Sequence, residues 1–243
     1  MRIAVISDIH ANFSALKKVF KDIRQRSIDE IFFLGDLCTL GPDTIETTET
    51  LLSKCKINIL GNHDEYLFNE NAIYSYTNEK IIIDSILYAK NILPKSLISS
   101  IQKFPSNLEI DLDYGNKICL YHGSPKCNTD NIYSDIDFDT LNSYFFDYDC
   151  NIFIGGHTHI QMYKKYMNNF LINCGSVGQP FCATNRKGPP ELLPKCEYSI
   201  LNLKKKSVTV EFIQLDYDLN THVKRIMQSD LPLKYWLKSQ YNI

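Results

Sequence analysis

Five short blocks of the chain concentrate side chains that can bind metal ions or transfer protons. Five of the six histidines lie in these blocks, together with carboxylates and a carboxamide. Taken singly, such residues are more often helix caps, turn residues or surface side chains. The five blocks are Asp8-Ile9-His10, Gly35-Asp36, Gly61-Asn62-His63-Asp64, His122-Gly123 and Gly155-Gly156-His157-Thr158-His159.

Each block directly follows a short apolar run of the kind that predicts a buried strand. In open α/β sheets the carboxyl ends of the strands face one crevice, so five strand ends can bring these polar groups together. The glycines let the chain turn sharply and bring backbone close to a bound ion or phosphate. The predicted strands are "RIAVIS", "EIFFLG", "INILG", "NKICLYHG" and "CNIFIGG".

Helical patterns separate these strands and predict a parallel α/β core. Residues 14–27 carry apolar side chains at helical spacing, and residues 44–55 predict a second helix between the second and third strands. Residues 65–103 are predicted to be mostly helical, with a break near Pro94, and to shape the pocket.

The C-terminal part adds elements that make the sheet system mixed. "FLINCG" predicts a further strand. "YSILNL" and "VTVEFIQL", separated by "KKKS", predict an antiparallel hairpin. Residues 221–229 and 233–239 predict two helices split at Pro232. The sixth histidine, His222, lies in the first of these, which is predicted to be a surface helix, and it has no predicted role.

Composition limits the classes of protein to which the chain can belong. Its 243 residues are 44% hydrophobic, which predicts one domain over residues 1–243. A net charge of −2 gives no strong basic field for nucleic acid. The N-terminal apolar run is too short for a signal peptide, and no stretch is long enough to span a membrane. Eight scattered cysteines without a C-x-x-C pair predict reduced thiols in a cytoplasmic protein. No feature of the sequence indicates an oligomeric state.

The mixture of side chains indicates which metals the crevice would bind. Burying such polar groups without a partner costs on the order of several kcal/mol each, and a bound metal ion would offset that cost. No thiolate belongs to the set, which disfavours a structural zinc site. Imidazole with carboxylate and amide oxygens suits divalent manganese, iron, zinc, cobalt or nickel. The candidate ligands are too many for one tetrahedral ion, so two ions are expected, as in many enzymes that hydrolyse phosphate esters.

The same blocks, in the same order, resemble the calcineurin-like metallophosphoesterases. The motifs stand here as "DIH", "GDLCTLGP", "GNHD", "HGSP" and "GGHTH". The flanking stretches "DIHANFSAL", "NCGSVGQP" and "YDLNTHVKRIMQSDLP" are similar to small bacterial, phosphodiesterase-type members. The resemblance implies an α/β fold: a four-layer α/β/β/α sandwich of two mixed β-sheets flanked by helices, with the site at the sheet edge.

The resemblance also implies a ligand set for two divalent transition-metal ions, with manganese expected. Asp36 would bridge the two ions. The first ion would be completed by Asp8, His10 and His159, and the second by Asn62, His122 and His157.

Two further residues take catalytic roles by the same resemblance. A hydroxide held between the metals would attack phosphorus in line. His63 would not bind metal; it would donate a proton to the departing oxygen, and Asp64 would orient the His63 ring.

The chain departs from bacterial relatives just after "GSVGQP". An arginine often follows there, but this chain has Phe181 and then an insertion over residues 182–195. Arg186 or Lys187 could hold a substrate phosphate, although a solvated loop is the other interpretation. Asn12 is a candidate pocket residue, although "ANFS" is equally typical of a helix start. Cys38 and Cys174, near site blocks, are expected to be small buried fillers.

The favoured function is two-metal hydrolysis of a small phosphate ester, with diesters preferred. A phosphomonoesterase or protein phosphatase is the alternative within enzymes. A catalytically silent binding or scaffold protein of the same fold should have lost ligands or the acid, and this chain retains them all. A nuclease is disfavoured by the acidic charge balance, and neither a membrane nor nucleic acid is an expected partner.

Overall fold

The computed structural model describes residues 1–182, 190–205 and 207–241. Its strands form two mixed five-stranded sheets, in the orders β10-β9-β1-β2-β3 and β4-β5-β6-β8-β7. The strands are β1 (Arg2–Ile6), β2 (Glu30–Phe33), β3 (Ile57–Asn58), β4 (Asn107–Leu112), β5 (Asn116–Tyr121), β6 (Ile152–Gly155), β7 (Met162–Tyr166), β8 (Asn169–Asn173), β9 (Cys196–Lys204) and β10 (Ser207–Leu215).

Helices flank the two sheets, so the predicted α/β class and four-layer arrangement are confirmed. The helices are α1 (Phe13–Ile23), α2 (Thr44–Lys54), α3 (Asn62–Glu65), α4 (Glu70–Tyr76), α5 (Lys80–Ile92), α6 (Lys95–Ile101), α7 (Phe138–Phe145), α8 (Leu219–Gln228) and α9 (Lys234–Gln240). Among the described residues, no helix combines the length and apolar character needed to cross a bilayer.

The first sheet is built around β1, which pairs in parallel with β2 and antiparallel with β9. Both faces of β1 are buried, which explains its continuous apolar sequence. Ala4 and Ile6 face α1, while Ile3 and Val5 face the second sheet. The predicted hairpin is present as β9 and β10.

The second sheet has a parallel centre, β5-β6-β8, with antiparallel strands at both edges. Its inner face packs against the first sheet through Ile118, Leu120 and Ile154. Its outer face packs against α7 through Phe153 and Phe145. The sequence patterns missed β4, β7 and α7, which are short elements with half-polar sequences.

The segment 65–103 and the C-terminal helices form a separate apolar cluster beside the strand ends. Helices α4 and α5 contribute Ile73 and Ile86, and α8 and α9 contribute Ile226 and Leu237. The predicted surface position of His222 is wrong. Its side chain is 2% exposed, because α8 turns it inward between the rings of two tyrosines, Tyr217 and Tyr241.

Candidate metal centre

The five polar blocks meet at one edge of the two sheets. The loops after β1 and β2 lie side by side, since the Asp8 and Ile9 N–H groups donate to the Gly35 and Asp36 carbonyls. The loops after β5 and β6 are joined by a hydrogen bond from the Gly156 N–H to the His122 carbonyl. The strand ends therefore converge as the sequence predicts.

One group of possible metal ligands consists of Asp8, His10 and His159. One ligand atom from each lies within 4.8 Å of the others. His159 Nε2 is 3.2 Å from Asp8 Oδ1 and 3.1 Å from His10 Nε2. All three side chains are buried.

A second group consists of Asp36, His122 and His157, again with one atom each inside 4.8 Å. His122 Nε2 is 3.4 Å from Asp36 Oδ2 and 3.1 Å from the amide oxygen of Asn62. The ring of His157 packs edge-on against that of His122, at 5.1 Å between centroids. The amide of Asn62 thus adds a fourth possible ligand to this group.

Asp36 lies between the two groups. Its Oδ2 atom is 3.7 Å from His10 Nε2 in the first group and 3.4 Å from His122 Nε2 in the second. Its other oxygen, Oδ1, accepts a hydrogen bond from the His63 backbone N–H at 2.9 Å. One carboxylate oxygen therefore remains directed between both groups.

The hydrogen bonds around two of the imidazoles orient their rings so that Nε2 can bind a cation. The Nδ1 atoms of His122 and His159 are each 2.6 Å from a backbone carbonyl, of Leu34 and Gln179 respectively. Because Nδ1 carries the hydrogen in that arrangement, each Nε2 presents a lone pair to other acceptor atoms when its ring is neutral. Asp8 Oδ1 is buried and has no hydrogen-bond partner among the described residues. Acceptors that face acceptors in a dry site need positive charge between them, from a proton or from a metal ion.

The pKa shifts have the same physical origin. Burial alone would lower the pKa of His122, but the carboxylates of Asp36 and Asp8 raise it to about 10. Burial alone would raise the pKa of Asp8, but the imidazoles of His159 and His122 lower it to about 2. Burial, together with the charge of His122, lowers the pKa of His157 to about 4. The carboxylates of Asp8 and Asp36 thus favour positive charge at His122, where a bound ion would replace the proton on Nε2.

The backbone at the strand ends is unusual for residues with side chains. Five of the residues in the two groups have positive φ angles, a conformation that costs L-residues about 1–2 kcal/mol. Two neighbouring glycines provide space: a Cβ atom on Gly61 would lie 2.2 Å from Asp36 Oδ1, and one on Gly156 would lie 2.6 Å from Asp8 Oδ2. The φ angles are 53° at Asp8, 46° at His10, 62° at Asp36, 68° at His157 and 58° at His159.

The structure corrects the role predicted for Asp64. Its carboxylate accepts hydrogen bonds from three backbone N–H groups, those of Asp36 (2.8 Å), Leu37 (2.9 Å) and Gly61 (3.1 Å). It therefore ties the loop that carries Asp36 to the loop that carries His63, instead of orienting the imidazole.

Thr39 makes the contact that was expected of Asp64. Its hydroxyl oxygen is 2.9 Å from His63 Nδ1, and both side chains are buried. The sequence offered no signal for this pairing, beyond a polar residue three positions after Asp36.

The predicted substrate contacts through Asn12 and Arg186 have different outcomes. Asn12 is the N-cap of α1: its Oδ1 accepts the Ala15 N–H, and its Nδ2 donates to the Gly178 carbonyl. With both ends of its amide engaged inside the protein, Asn12 does not line the cavity. Arg186 and Lys187 lie outside the described residues.

Cys38 and Cys174 are buried as expected, and burial holds the pKa of both thiols well above its usual range.

A cavity of about 380 Å³ opens beside the two ligand groups. His63 lines it, together with histidines and Asp36 from both groups. The segment 65–103 contributes residues to its wall, and so does α9, which sequence reasoning did not connect with the site. These further lining residues are Leu40, Tyr76, Thr77, Ile82, Gln179, Phe181, Pro190, Leu233 and Trp236.

Comparisons with known proteins agree with this geometry. Residues 1–191 match the family model described as the calcineurin-like phosphoesterase superfamily domain. An uncharacterized protein of Methanocaldococcus jannaschii is 29% identical over 245 residues, covering 95% of this chain and 93% of that protein. A symmetrical bis(5'-nucleosyl)-tetraphosphatase of Erwinia tasmaniensis is 26% identical over 121 residues, covering 49% of this chain and 42% of that enzyme.

Two solved structures share the fold over nearly the whole chain. A metallophosphoesterase from Sphaerobacter thermophilus has a TM-score of 0.75 at 23% identity and covers 98% of both chains. A hypothetical protein from Pyrococcus horikoshii has a TM-score of 0.75 at 18% identity, covering 95% of this chain and 94% of its own.

Proposed function

The chain belongs to the calcineurin-like phosphoesterase superfamily, and we propose that it hydrolyses small phosphodiesters with two divalent metal ions. One observation carries the proposal. Two groups of metal-ligand side chains share Asp36 at the floor of a cavity that His63 also lines. A catalytically silent protein of this fold would be expected to lack some of the ligands or the acid, and this chain has all of them.

The proposed ligand set follows the two groups. Asp36 would be shared by the two ions, since its Oδ2 atom is within 3.7 Å of an imidazole nitrogen in each group. Manganese is the proposed metal, since oxygen and nitrogen donors without thiolate suit it. Asp8, His10 and His159 would complete the first site, and Asn62, His122 and His157 the second.

The chemistry divides between the ions and the protein. Bound divalent ions offset charge on the phosphate oxygens and make a water molecule acidic enough to act as the nucleophile. The protein holds the imidazoles of His122 and His159 by their Nδ1 atoms, so that Nε2 faces the metal positions.

His63 is the proposed proton donor to the departing oxygen. The Thr39 hydroxyl engages Nδ1, so Nε2 is the atom that would transfer the proton. Burial lowers the pKa of His63 below its usual range, and the nearby Asp36 carboxylate offsets only part of that shift. A bound phosphate adds negative charge beside the ring and favours the protonated form in the complex.

The preference for diesters is the finer part of the proposal. A diester carries one negative charge where a monoester carries up to two, and the ester groups of a diester need space on both sides of phosphorus. The cavity of about 380 Å³ provides that space. The partial similarity to a bis(5'-nucleosyl)-tetraphosphatase adds support for a substrate with organic groups on both sides of the scissile bond.

We also propose that residues 1–243 act as one unit in the cytoplasm. Leu233 and Trp236, beyond the part matched by the family model, line the same cavity as His10. Six cysteines are buried free thiols, which suits a reducing compartment.

The test is metal analysis together with an ester comparison. Protein purified without chelator and reconstituted with manganese should hold two ions and should cleave bis-p-nitrophenyl phosphate faster than p-nitrophenyl phosphate. Asp149→Asn is the matched control for Asp36→Asn, the variant that removes the proposed bridge, since the Asp149 carboxylate is 97% exposed and precedes β6, at the other end of that strand from His157. A stoichiometry that never exceeds one ion contradicts the bridging role of Asp36. Faster cleavage of the monoester reverses the substrate preference, and no cleavage of either ester with any candidate metal contradicts the enzyme assignment.

A further inference from the structure

The cavity beside the ligand groups has one polar wall and one apolar, largely aromatic wall. The polar wall consists of histidines and Asp36. The aromatic wall, as we call it here, is formed by Tyr76, Ile82, Phe181, Leu233 and Trp236. These five residues come from α4, α5, the segment after β8, and the chain at and within α9, so four separate parts of the chain converge on it.

Ring contacts connect the aromatic wall with the reacting centre. Phe181 stacks on the ring of His159, with 4.2 Å between centroids and 30° between planes. Tyr76 meets His63 edge-on, with 5.8 Å between centroids. The wall therefore begins in van der Waals contact with a proposed metal ligand and with the proposed acid. A group attached to a phosphate bound beside His159 and His63 could therefore lie against this wall.

The aromatic wall is also supported from behind. Leu233 is buried, and together with the partly buried Ile82, Phe181 and Trp236 it belongs to the apolar cluster formed by α4, α5, α8 and α9. The Phe181 N–H donates to the His159 carbonyl at 3.1 Å, which fixes the backbone under its ring. Tyr76 remains 44% exposed even though its ring lines the cavity. The fold thus holds aromatic faces in place and leaves apolar surface open toward the site, a combination suited to a planar ligand.

We propose that the aromatic wall binds a planar aromatic group carried on the ester oxygen that stays on phosphorus when the other ester bond is cleaved. This inference rests on the proposed function, which it deepens by naming the substrate class: phosphodiesters whose retained substituent is an aryl or other planar aromatic group. Stacking and burial of one such ring would favour it over a methyl group by about 10- to 100-fold in binding.

Trp236 makes a direct measurement possible, because it is the only tryptophan in the chain. Its emission therefore reports on the aromatic wall. Phenylphosphonate, which cannot be hydrolysed, should shift or quench this emission with saturation in the manganese-reconstituted protein. Methylphosphonate should bind at least about tenfold more weakly when it competes with phenylphosphonate. Equal affinities, or no change of emission at saturating phenylphosphonate, overturn the inference.

A kinetic comparison uses one leaving group throughout. Phenyl p-nitrophenyl phosphate and methyl p-nitrophenyl phosphate release the same nitrophenolate, so the ratio of their kcat/KM values measures the effect of the retained group. That ratio should exceed about 10 in the wild type and should fall by about tenfold in Trp236→Ala. Tyr76→Ala is the second variant, at a half-exposed position where folding is least at risk.

Tyr235→Ala is the matched control. It removes a neighbouring aromatic ring from the same helix, but Tyr235 is 69% exposed and does not line the cavity. The ratio should stay at its wild-type value in this variant. If the ratio is near one in the wild type, or falls equally in the control, the inference is wrong while the proposed function stands. If neither diester is cleaved but phenylphosphonate still alters Trp236 emission, the proposed function fails and the aromatic subsite is retained.

Discussion

Thr39→Val should impair hydrolysis selectively for esters with a poor leaving group. The Thr39 hydroxyl is 2.9 Å from His63 Nδ1, and both side chains are buried. Valine preserves the branched shape but removes the hydrogen bond. The imidazole then keeps a buried nitrogen without a partner and loses the contact that fixes its orientation. Proton transfer from Nε2 should suffer, while metal binding should not.

The size of the effect follows from that one contact. A buried polar group without its partner costs about 1–3 kcal/mol, which corresponds to a rate loss of about 5- to 150-fold if it acts on the transition state. His63→Ala sets the upper limit, with the loss of about 10²–10⁴-fold that is usual for a placed proton donor. A nitrophenolate departs readily without a proton, so its release should be affected far less in both variants.

The assay compares an alkyl diester with a nitrophenyl diester in wild type and variants, with metal content measured in parallel. Thr47→Val is the matched control, because Thr47 is also buried but its hydroxyl has no hydrogen-bond partner among the described residues. An equal loss for both esters with metals retained would show that Thr39 and His63 position the phosphate instead. An unchanged rate in Thr39→Val, beside a large loss in His63→Ala, would refute the orienting role of Thr39. Loss of the metals from His63→Ala would make His63 a ligand.

Asp64→Asn should produce a different pattern from Thr39→Val. The Asp64 carboxylate accepts three backbone N–H groups from the loops that carry Asp36 and His63. An asparagine NH2 group would face one or more of these donors, at a cost of about 1–3 kcal/mol in unfolding free energy. Metal content should fall, and both esters should slow equally. If only the alkyl ester slows, Asp64 acts through the imidazole after all.

Three further predictions concern the metal bridge, the substrate and acid stability. Asp36→Asn should reduce activity and both metal affinities more than any other single ligand change, since Asp36 Oδ2 lies between both groups; a variant that keeps two tight ions would contradict the bridge. Turnover of bis-p-nitrophenyl phosphate should exceed that of p-nitrophenyl phosphate at equal manganese, and the reverse order would favour a monoesterase. Burial lowers the pKa of His222 to about 3, so the unfolded chain binds a proton there below about pH 6.5 and the folded chain does not. The wild type should therefore lose up to about 1.4 kcal/mol of stability per pH unit as the pH falls from 6.5 to 3, and His222→Phe should abolish this loss. The measurement is the urea-unfolding free energy of variant and wild type across this pH range. An identical pH slope in both proteins would show that His222 does not titrate on unfolding.

The sequence was most informative about the strand ends, because the local pattern there is compatible with one structure. An apolar run followed by glycine and a polar residue placed each of the five blocks at a strand end, and parallel pairing brought those ends to one edge. Elements whose patterns were weaker were missed. Strand β7, "MYKKY", alternates only partly and sits at a sheet edge, so neither burial nor periodicity marks it.

Pairings between side chains could not be inferred in the same way. The motif "GNHD" suggests that Asp64 serves the neighbouring His63, but the short helix α3 directs the carboxylate toward the backbone of another loop. Thr39 reaches the imidazole from a loop 24 residues earlier. Trp236 enters the cavity from the end of the chain, and no local pattern records a contact over that distance. Such contacts depend on how loops are directed after the sheets form.

At this site, positive φ angles and space for neighbouring side chains, both expected of glycine from the sequence, are provided at different positions. Glycine is the usual choice where φ is positive, yet at Asp8, Asp36 and His157 the residue that bears the side chain adopts this conformation. The adjacent glycines Gly61 and Gly156 instead leave space for carboxylate oxygens. Each strained position costs about 1–2 kcal/mol, and such strain persists only where surrounding bonds impose it. Here the Asp8 N–H donates to the Gly35 carbonyl, and the His157 N–H donates to the Asp8 carboxylate, so hydrogen bonds between the loops help to hold these conformations. The strand-end loops that carry the ligand side chains are therefore tied directly to one another, which restricts how far one ligand can move without the others.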